Sequence, residues 1–268
     1  MRKAILYLLL FIPLPIIAQV SVEQLEQRMN EAQGEEQLEL IITLGNIYAS
    51  SEPDKGLELG LKAAFLSKRM GNVKYEGKAL LLMGLSSLNA KQKENALRYY
   101  NRALSHFEQY NQQIDQVHAL EGIAEVYNLD RNYYPAISQL NKALSVAIGL
   151  NNKELQTELH GKIGAIALDQ KNYTLAHREF TSVLDLFKAK SNLTATEQMQ
   201  EADAYRKIGI AYRNLGQFKE GLSAFRKALE ASGRMNERKQ EIEDLNEIAT
   251  SFYLLQEFDS ALTYYNRV

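Results

Sequence analysis

The fold is decided by the stretch Ala96-Leu97-Arg98-Tyr99-Tyr100-Asn101-Arg102-Ala103-Leu104, in which two small residues lie seven positions apart with an aromatic residue between them. This stretch recurs in phase along the chain. Its first small residue is found at Gly56, Ala96, Ala136, Ala176, Gly221 and Ala261, with steps of 40, 40, 40, 45 and 40 residues. Self-similarity at a period of about 20 to 50 residues is typical of stacked supersecondary units, so the sequence predicts a repeat protein.

A second pattern with the same period precedes each copy and places an apolar residue next to a small one. It is found at Leu44-Gly45, Met83-Gly84, Ile123-Ala124, Ile163-Gly164, Ile208-Gly209 and Ile248-Ala249. Spacings of three, four and seven residues put side chains on one face of a helix. A small residue beside a large one lets two helices approach closely. Each repeat is therefore predicted to be a hairpin of two helices, which buries its apolar face only by stacking on its neighbours.

The residues predicted to form these helix contacts are small or aromatic. They are Gly45, Tyr48, Gly84, Ala96, Tyr100, Ala103, Ala124, Tyr127, Ala136, Ala143, Gly164, Ala176, Phe180, Gly209, Tyr212, Phe225, Ala228, Ala261 and Tyr265.

The paired patterns resemble the tetratricopeptide repeat family, whose signature is L-G-x-x-Y followed by A-x-x-x-F and a further A. The resemblance covers about residues 36–268. It implies an all-α fold, a right-handed α-α superhelix of about six helical hairpins, and a role in protein interaction. The period departs from the 34 residues usual in the family, and the expected proline after the second helix is missing. A 40-residue repeat resembles those of bacterial periplasmic sensory and signalling proteins, and it predicts that both helices are a few residues longer.

The first residues differ in character from the rest of the chain. Arg2 and Lys3 precede an apolar run up to Ile17, and Ala18 is followed by a polar residue. This is the pattern of a secretory signal peptide, which predicts export to the periplasm or cell envelope. An uncleaved anchor or a buried helix is the alternative. The chain has no cysteine, which excludes a lipoprotein anchor and disulfide bonds.

These patterns predict the following organisation: a signal peptide at 1–18, an N-terminal capping helix at 19–34, and a solenoid at 35–268. The solenoid is divided into six repeats at 35–72, 73–111, 112–151, 152–192, 193–235 and 236–268, of which the last is truncated. The extra residues of the 45-residue step fall at 188–196, as a longer loop or as a ligand-contacting insertion. Because the pattern is still helical at Val268, the chain is expected to be a fragment of a larger signalling protein, and a membrane association would depend on missing downstream sequence.

The sequence offers no chemistry beyond binding. The formal net charge is −2 with both signs interspersed, which disfavours nucleic acid as a partner. The four histidines lack the spacing of a metal site. We therefore expect no metal, no cofactor and no enzymatic activity. Two Asn-x-Thr patterns begin at Asn172 and Asn192, and their threonines are interpreted as helix caps.

In the family that the chain resembles, the first helices of the repeats line a concave groove that takes a peptide or protein segment. Residue by residue, the resemblance assigns to this groove Lys78, Leu81, Leu85, Leu88, Asn89, His118, Glu121, Glu125, Asn128, Asp169, Asp203, Arg206, Arg213, Asn214, Asn246 and Tyr253. The leucines form an apolar end, and Arg206 and Arg213 form a paired positive charge. The expected partner is thus a polypeptide segment of apolar and acidic character; the alternative is that these side chains are merely solvated.

Three functions remain open. The first is an exported protein or peptide interaction module that forms the sensory portion of a signalling protein. The second is a free-standing periplasmic scaffold or assembly factor. The third, more remote, is an enzyme built on a helical-repeat platform.

Overall fold

The computed structural model describes residues 21–188, 190–235 and 237–268, and these residues form thirteen α-helices and no strand. The helices are α1 (Val22–Glu31), α2 (Gly34–Ser51), α3 (Pro53–Met70), α4 (Val73–Asn89), α5 (Lys93–Gln109), α6 (Gln113–Leu129), α7 (Tyr133–Gly149), α8 (Lys153–Asp169), α9 (Tyr173–Phe187), α10 (Ala195–Asn214), α11 (Phe218–Arg234), α12 (Arg238–Leu254) and α13 (Phe258–Tyr265). The predicted all-α repeat fold is confirmed. The predicted signal peptide at 1–18 lies outside the described residues.

The 40-residue step comes from helices of constant length joined by constant turns. Each of α5 to α8 has 17 residues, and three residues connect each to the next. Short connections of this kind make consecutive helices antiparallel. One residue of each turn has a positive φ, and in this part of the chain these residues are Lys91, Asn111, Arg131, Asn151 and Lys171, 20 positions apart. Two such helix-and-turn segments make one repeat.

In each of these turns one residue has a left-handed backbone conformation, which ends the helix and reverses the direction of the chain. The residue after the positive-φ position donates its N–H to a carbonyl in the last helical turn, as Asn132 does to Tyr127 O at 2.9 Å and Asn172 to Ala167 O at 2.8 Å. This is the Schellman pattern, which satisfies carbonyls that the end of a helix leaves open. Glycine adopts this conformation at Gly71 and Gly216. Elsewhere an L-residue adopts it, at a cost of about 1–2 kcal/mol unless it is asparagine.

The chain divides into two compact units between Ala90 and Lys91. In the first unit, α1 begins with a capping box at Ser21. It packs on α2, and Tyr48 Oη donates to Glu26 Oε1 at 2.6 Å. A Cβ added at Gly45 would lie 2.2 Å from Leu82 Cδ2, so the glycine makes room for the leucine of α4.

The second unit contains α5 to α13, and its large side chains fill the space beside small residues. A Cβ at Gly164 would lie 2.9 Å from the Phe180 ring, and one at Gly209 would lie 2.6 Å from the Phe225 ring. Tyr100 lies in the same way over Gly122, a position that the sequence pattern did not single out. These contacts let neighbouring helices approach closely, and they place the rings in the interior.

Three of the predicted helix-contact residues are not fully buried. Tyr127 and Tyr212 are half-buried, and Tyr265 is 45% exposed. The reason is clearest for Tyr265: it is the last residue of α13, a helix of eight residues that packs against α12. The other predicted helix-contact residues are buried.

The 45-residue step contains a longer connection and a longer helix. Residues 188–194 join α9 to α10, which has 20 residues. Thr194 caps α10 through a capping box with Glu197. Lys190 contacts Glu197 and lies 3.8 Å from Glu154. The connection is therefore tied to α8 and α10 by polar contacts.

Candidate functional site

The candidate site is one side of the first helices of the repeats. In the second unit these helices are α6, α8, α10 and α12, and we call this side the first-helix face. The predicted groove residues His118, Glu125, Asp169, Asn214 and Tyr253 are exposed on it, and Glu121, Asn128, Asp203, Arg206, Arg213 and Asn246 are half-buried. Other positions of the same helices, such as Ile123 and Ile248, are buried. The first-helix face therefore presents polar side chains to solvent, while other positions of the same helices are packed in the interior.

The remaining predicted groove residues belong to α4 in the first unit. Lys78, Leu81 and Leu85 are half-buried, and Leu88 is buried. Asn89 is exposed, and its Nδ2 donates to Ala49 O at 2.9 Å. This amide therefore ties α4 to α2, and the apolar end predicted for the groove is only partly accessible.

Arg206 is held by carboxylates of the next first helix. Its Nε donates to Asp244 Oδ1 at 2.6 Å, and Asp244 is completely buried. Asp244 also accepts from Ser232 Oγ at 2.7 Å. Glu243 and Asp203 lie 3.6 and 3.7 Å from Arg206 Nη1. Burial lowers the pKa of Arg206, but the hydrogen bond to Asp244 and the negative charges of Asp244, Asp203 and Glu243 together raise that pKa overall.

Arg213 is engaged in the same way. Its Nη1 donates to Glu247 Oε2 of α12, and its guanidinium lies 5.5 Å from the centre of the Phe225 ring. The two arginines predicted to receive an acidic segment thus join α10 to α12. Both guanidinium groups contact the protein's own carboxylates, although Nη2 of Arg206 is buried and has no hydrogen-bond partner.

A second polar network joins α6 to α8. His118 Nδ1 lies 3.1 Å from Glu121 Oε2, and Lys162 Nζ lies 2.7 Å from both Glu121 Oε1 and Glu158 Oε1. The hydrogen bond with Glu121 raises the pKa of His118, and the more distant Asp115 and Glu158 add to this effect. Burial raises the pKa of Glu121, but the contacts with His118 and Lys162 lower it overall.

Carboxylates outnumber cations on the first-helix face. Its four cations are Lys162, Arg206, Lys207 and Arg213. Of these, Lys162, Arg206 and Arg213 each contact a carboxylate. Its carboxylates are Glu121, Glu125, Glu158, Asp169, Asp203, Glu243, Asp244 and Glu247. Because like charges repel across an interface, this arrangement disfavours the acidic partner segment that the two arginines suggested and favours a neutral or basic one.

Sequence reasoning missed Lys162, Ser232, Asp244 and Glu247. Lys162, Asp244 and Glu247 pair with a helix one repeat away, and Ser232 donates to Asp244 on the next helix. The groove positions of a single repeat include none of them. One signal in the sequence could have indicated these pairs: residues of opposite charge lie about one repeat apart. Arg213 and Glu247, which are 34 positions apart, are an example.

A further ionic cluster ties α8 to α9 away from the predicted groove positions. His160 Nδ1 lies 2.7 Å from Glu179 Oε2, and Arg178 donates to Glu179 Oε1 from Nε at 3.0 Å and from Nη2 at 2.7 Å. Glu179 is 5% exposed. Burial raises the pKa of Glu179, but its hydrogen bonds with His160 and Arg178 lower it overall. This cluster accounts for His160 as a helix-to-helix contact.

The described residues contain no group of three histidine, aspartate or glutamate side chains arranged to hold a metal ion. None of their helices has the length and hydropathy to cross a bilayer.

Comparison with known families and structures identifies the repeat. The family model described as tetratricopeptide repeat matches residues 202–235, and a second model with the same description matches residues 78–109. A sequence search against curated proteins finds no match.

Solved structures resemble the chain in fold. The apo form of RapI has a TM-score of 0.74 at 17% identity, and the match covers 92% of this chain and 70% of RapI. Aspartyl phosphate phosphatase F from Bacillus subtilis has a TM-score of 0.63 at 14% identity, with 92% and 62% covered. The apo form of the quorum sensor NprR from B. thuringiensis has a TM-score of 0.58 at 15% identity, with 91% and 79% covered.

Proposed function

Because this chain is a tetratricopeptide repeat protein, we propose that it is an interaction module that holds a polypeptide segment against its first-helix face. The observation that carries the proposal is the exposure pattern of α6, α8, α10 and α12. On each of them one side is accessible and polar, while the positions around it are buried. In the repeat family this side takes the partner, and the stacked helices provide a rigid surface for it.

The charges of the first-helix face indicate which charge the partner segment carries. Three of the four cations of this face are paired within it. Several carboxylates remain exposed, among them Glu125, Glu158 and Asp169. Leu129 and Tyr253 are 52% and 58% exposed and offer apolar contact. The partner segment is therefore basic or neutral, with apolar side chains. Exposed charge pairs are screened by salt, so binding weakens as ionic strength rises.

Site-specific photo-cross-linking tests this proposal. A photoreactive amino acid replaces Glu125 on α6 or Tyr253 on α12 in the full chain, and both sites are expected to capture the same protein in cells. The control site is Arg102, which is exposed on α5, a second helix. Capture at Arg102 as efficient as at the two test sites, or no capture at either test site, would refute a role of the first-helix face.

We further propose that the protein is exported and forms the sensory portion of a signalling protein. The support for export is the pattern of residues 1–18. The support for a sensory role is the resemblance of the repeats to those of sensory proteins and the fold similarity to a quorum sensor. In a fusion of residues 1–30 to alkaline phosphatase, an enzyme that needs disulfides formed outside the cytoplasm, we expect activity that disappears when residues 2–18 are deleted. Equal activity of both fusions would exclude export by this segment.

A further inference from the structure

A second surface with different chemistry lies between two second helices, α7 and α9. The groove there has a volume of about 590 Å³, within the range of about 300–1,000 Å³ usual for ligand sites. Ile163 of α8, which is 1% exposed, lies at its base, and Ile137 and Leu175 add aliphatic surface. We call this site the α7–α9 groove.

The α7–α9 groove follows one side of α7. Its lining residues on that helix run from Tyr134 through Ser138 and Lys142 to Ser145. At a rise of about 1.5 Å per residue, this stripe is about 16 Å long. Tyr134 is 83% exposed, so its ring stands at one end of the stripe as an aromatic surface in contact with water.

The charge of the lining is opposite to that of the first-helix face. The lining includes Lys142 and Arg178 and no aspartate or glutamate. Arg178 is partly neutralised by the buried Glu179. Lys142 Nζ has a weaker partner, the amide oxygen of Gln139 at 3.4 Å. Lys142 therefore supplies the accessible positive charge of the groove.

Hydrogen-bonding groups in the groove are also available. Among the described residues, the side chains of Ser138, Asn141 and Gln170 form no intramolecular hydrogen bond. Amide and hydroxyl groups can each donate and accept. They can therefore pair with the backbone of an extended chain lying along the stripe.

We propose that the α7–α9 groove binds an extended acidic polypeptide segment of about five residues. At about 3.3 Å per residue, five extended residues span the 16 Å stripe. An apolar or aromatic side chain packs on Tyr134 and the aliphatic base, and an acidic side chain pairs with Lys142. The aliphatic base favours a hydrocarbon side chain over a saccharide ring. This surface is separate from the first-helix face and takes a partner of opposite charge.

The test measures the affinity of the full chain for a synthetic pentapeptide, acetyl-Phe-Ser-Gly-Asp-Glu-amide, by calorimetric titration. The comparison peptide has two lysines in place of the two acids, and a galacturonic acid trimer represents an anionic saccharide. We expect the acidic peptide to bind at least about fivefold more tightly than the lysine peptide, a difference of about 1 kcal/mol. The saccharide is expected to bind more weakly than the acidic peptide.

Variants then locate the binding site. Lys142→Glu and Tyr134→Ala change exposed side chains and are each expected to weaken binding of the acidic peptide at least about fivefold. The matched control is Arg102→Glu, which reverses a cation at the equivalent exposed position of α5, outside the groove. It is expected to change the affinity less than about twofold. The proposal is overturned by equal binding of both peptides, by no binding at about 1 mM, by tighter binding of the saccharide, or by equal effects of Lys142→Glu and Arg102→Glu.

Discussion

The pairing of Arg206 with Asp244 makes a quantitative prediction about how the last repeats are joined. Asp244 is completely buried and accepts hydrogen bonds from Arg206 at 2.6 Å and from Ser232 at 2.7 Å. In Asp244→Ala, the Arg206 guanidinium would keep only the two carboxylates that lie 3.6 and 3.7 Å away. Removal of one partner of a buried ion pair costs about 3–5 kcal/mol. Because Arg206 keeps those two contacts and is 13% exposed, we expect about 3 kcal/mol.

The assay is urea unfolding followed by circular dichroism, together with amide hydrogen exchange of α12. Repeat proteins can lose cooperativity between repeats. The exchange measurement therefore shows whether α12 opens separately from the rest of the chain. We expect a lower urea midpoint and loss of protection concentrated in α12 and α13, whose packing depends on α10 and α11.

Two further variants separate pairing from packing. Arg206→Met combined with Asp244→Leu removes both charges and is expected to recover most of the lost stability, because an apolar pair of similar volume can replace a buried ion pair. Arg213→Ala removes the more exposed pair with Glu247 and is expected to cost about 1 kcal/mol or less. A loss below about 1 kcal/mol for Asp244→Ala, with unchanged protection of α12, would refute the reasoning.

Other predictions follow from the turns, the polar network and the core. Lys171→Gly should raise the free energy of unfolding by about 1 kcal/mol, since lysine is strained at a positive φ; Asn151→Gly, the control, should gain less, and equal gains would contradict this. Because the pKa of His118 is raised, its pairing with Glu121 stabilises the fold fully below about pH 6.5 and loses this effect as the pH rises through the folded pKa. His118→Ala should therefore lower the urea midpoint more at pH 5.5 than at pH 8, and a reversed or absent difference would contradict the assignment. Phe180→Ala should cost about 3–5 kcal/mol by thermal or urea unfolding; an unmoved melting curve would contradict its core position.

The fold could be predicted from sequence because its determinants are local and periodic. A small residue such as Gly164 and a ring such as Phe180 must recur at helical spacing for neighbouring helices to pack, and this leaves a visible repeat. The turns were less visible. Lys91, Arg131 and Lys171 adopt positive φ without being glycine, so turn composition alone does not mark them. The helices on either side of Arg131 and of Lys171 pack against each other, so the turn between them has to reverse the chain whatever its composition.

The charges of the candidate site could not be assigned in the same way. The exposure of Glu125 and Tyr253 follows from helix periodicity, but the state of Arg206 depends on a carboxylate 38 residues later that is buried beside it. A sequence pattern gives the face on which a side chain lies. It does not show whether that side chain is already paired with a neighbouring repeat. The sequence pattern therefore predicts that the two arginines are available for a ligand, whereas in the structure they join α10 to α12.

The second unit thus has two surfaces of opposite charge on one scaffold. On its first-helix face, carboxylates outnumber the cations, most of which are paired, whereas the α7–α9 groove carries Lys142 and no carboxylate in its lining. The formal net charge of −2 does not reveal that the two surfaces differ in charge, because it is a sum over the whole chain. Since complementary charge speeds association and suppresses wrong partners, the two surfaces should select different segments. If one partner binds both surfaces, Lys142→Glu should reduce the cross-linking of that partner at Glu125. If the two surfaces bind different partners, Lys142→Glu should leave cross-linking at Glu125 unchanged. Cross-linking at Glu125 in the Lys142→Glu variant therefore distinguishes the two cases.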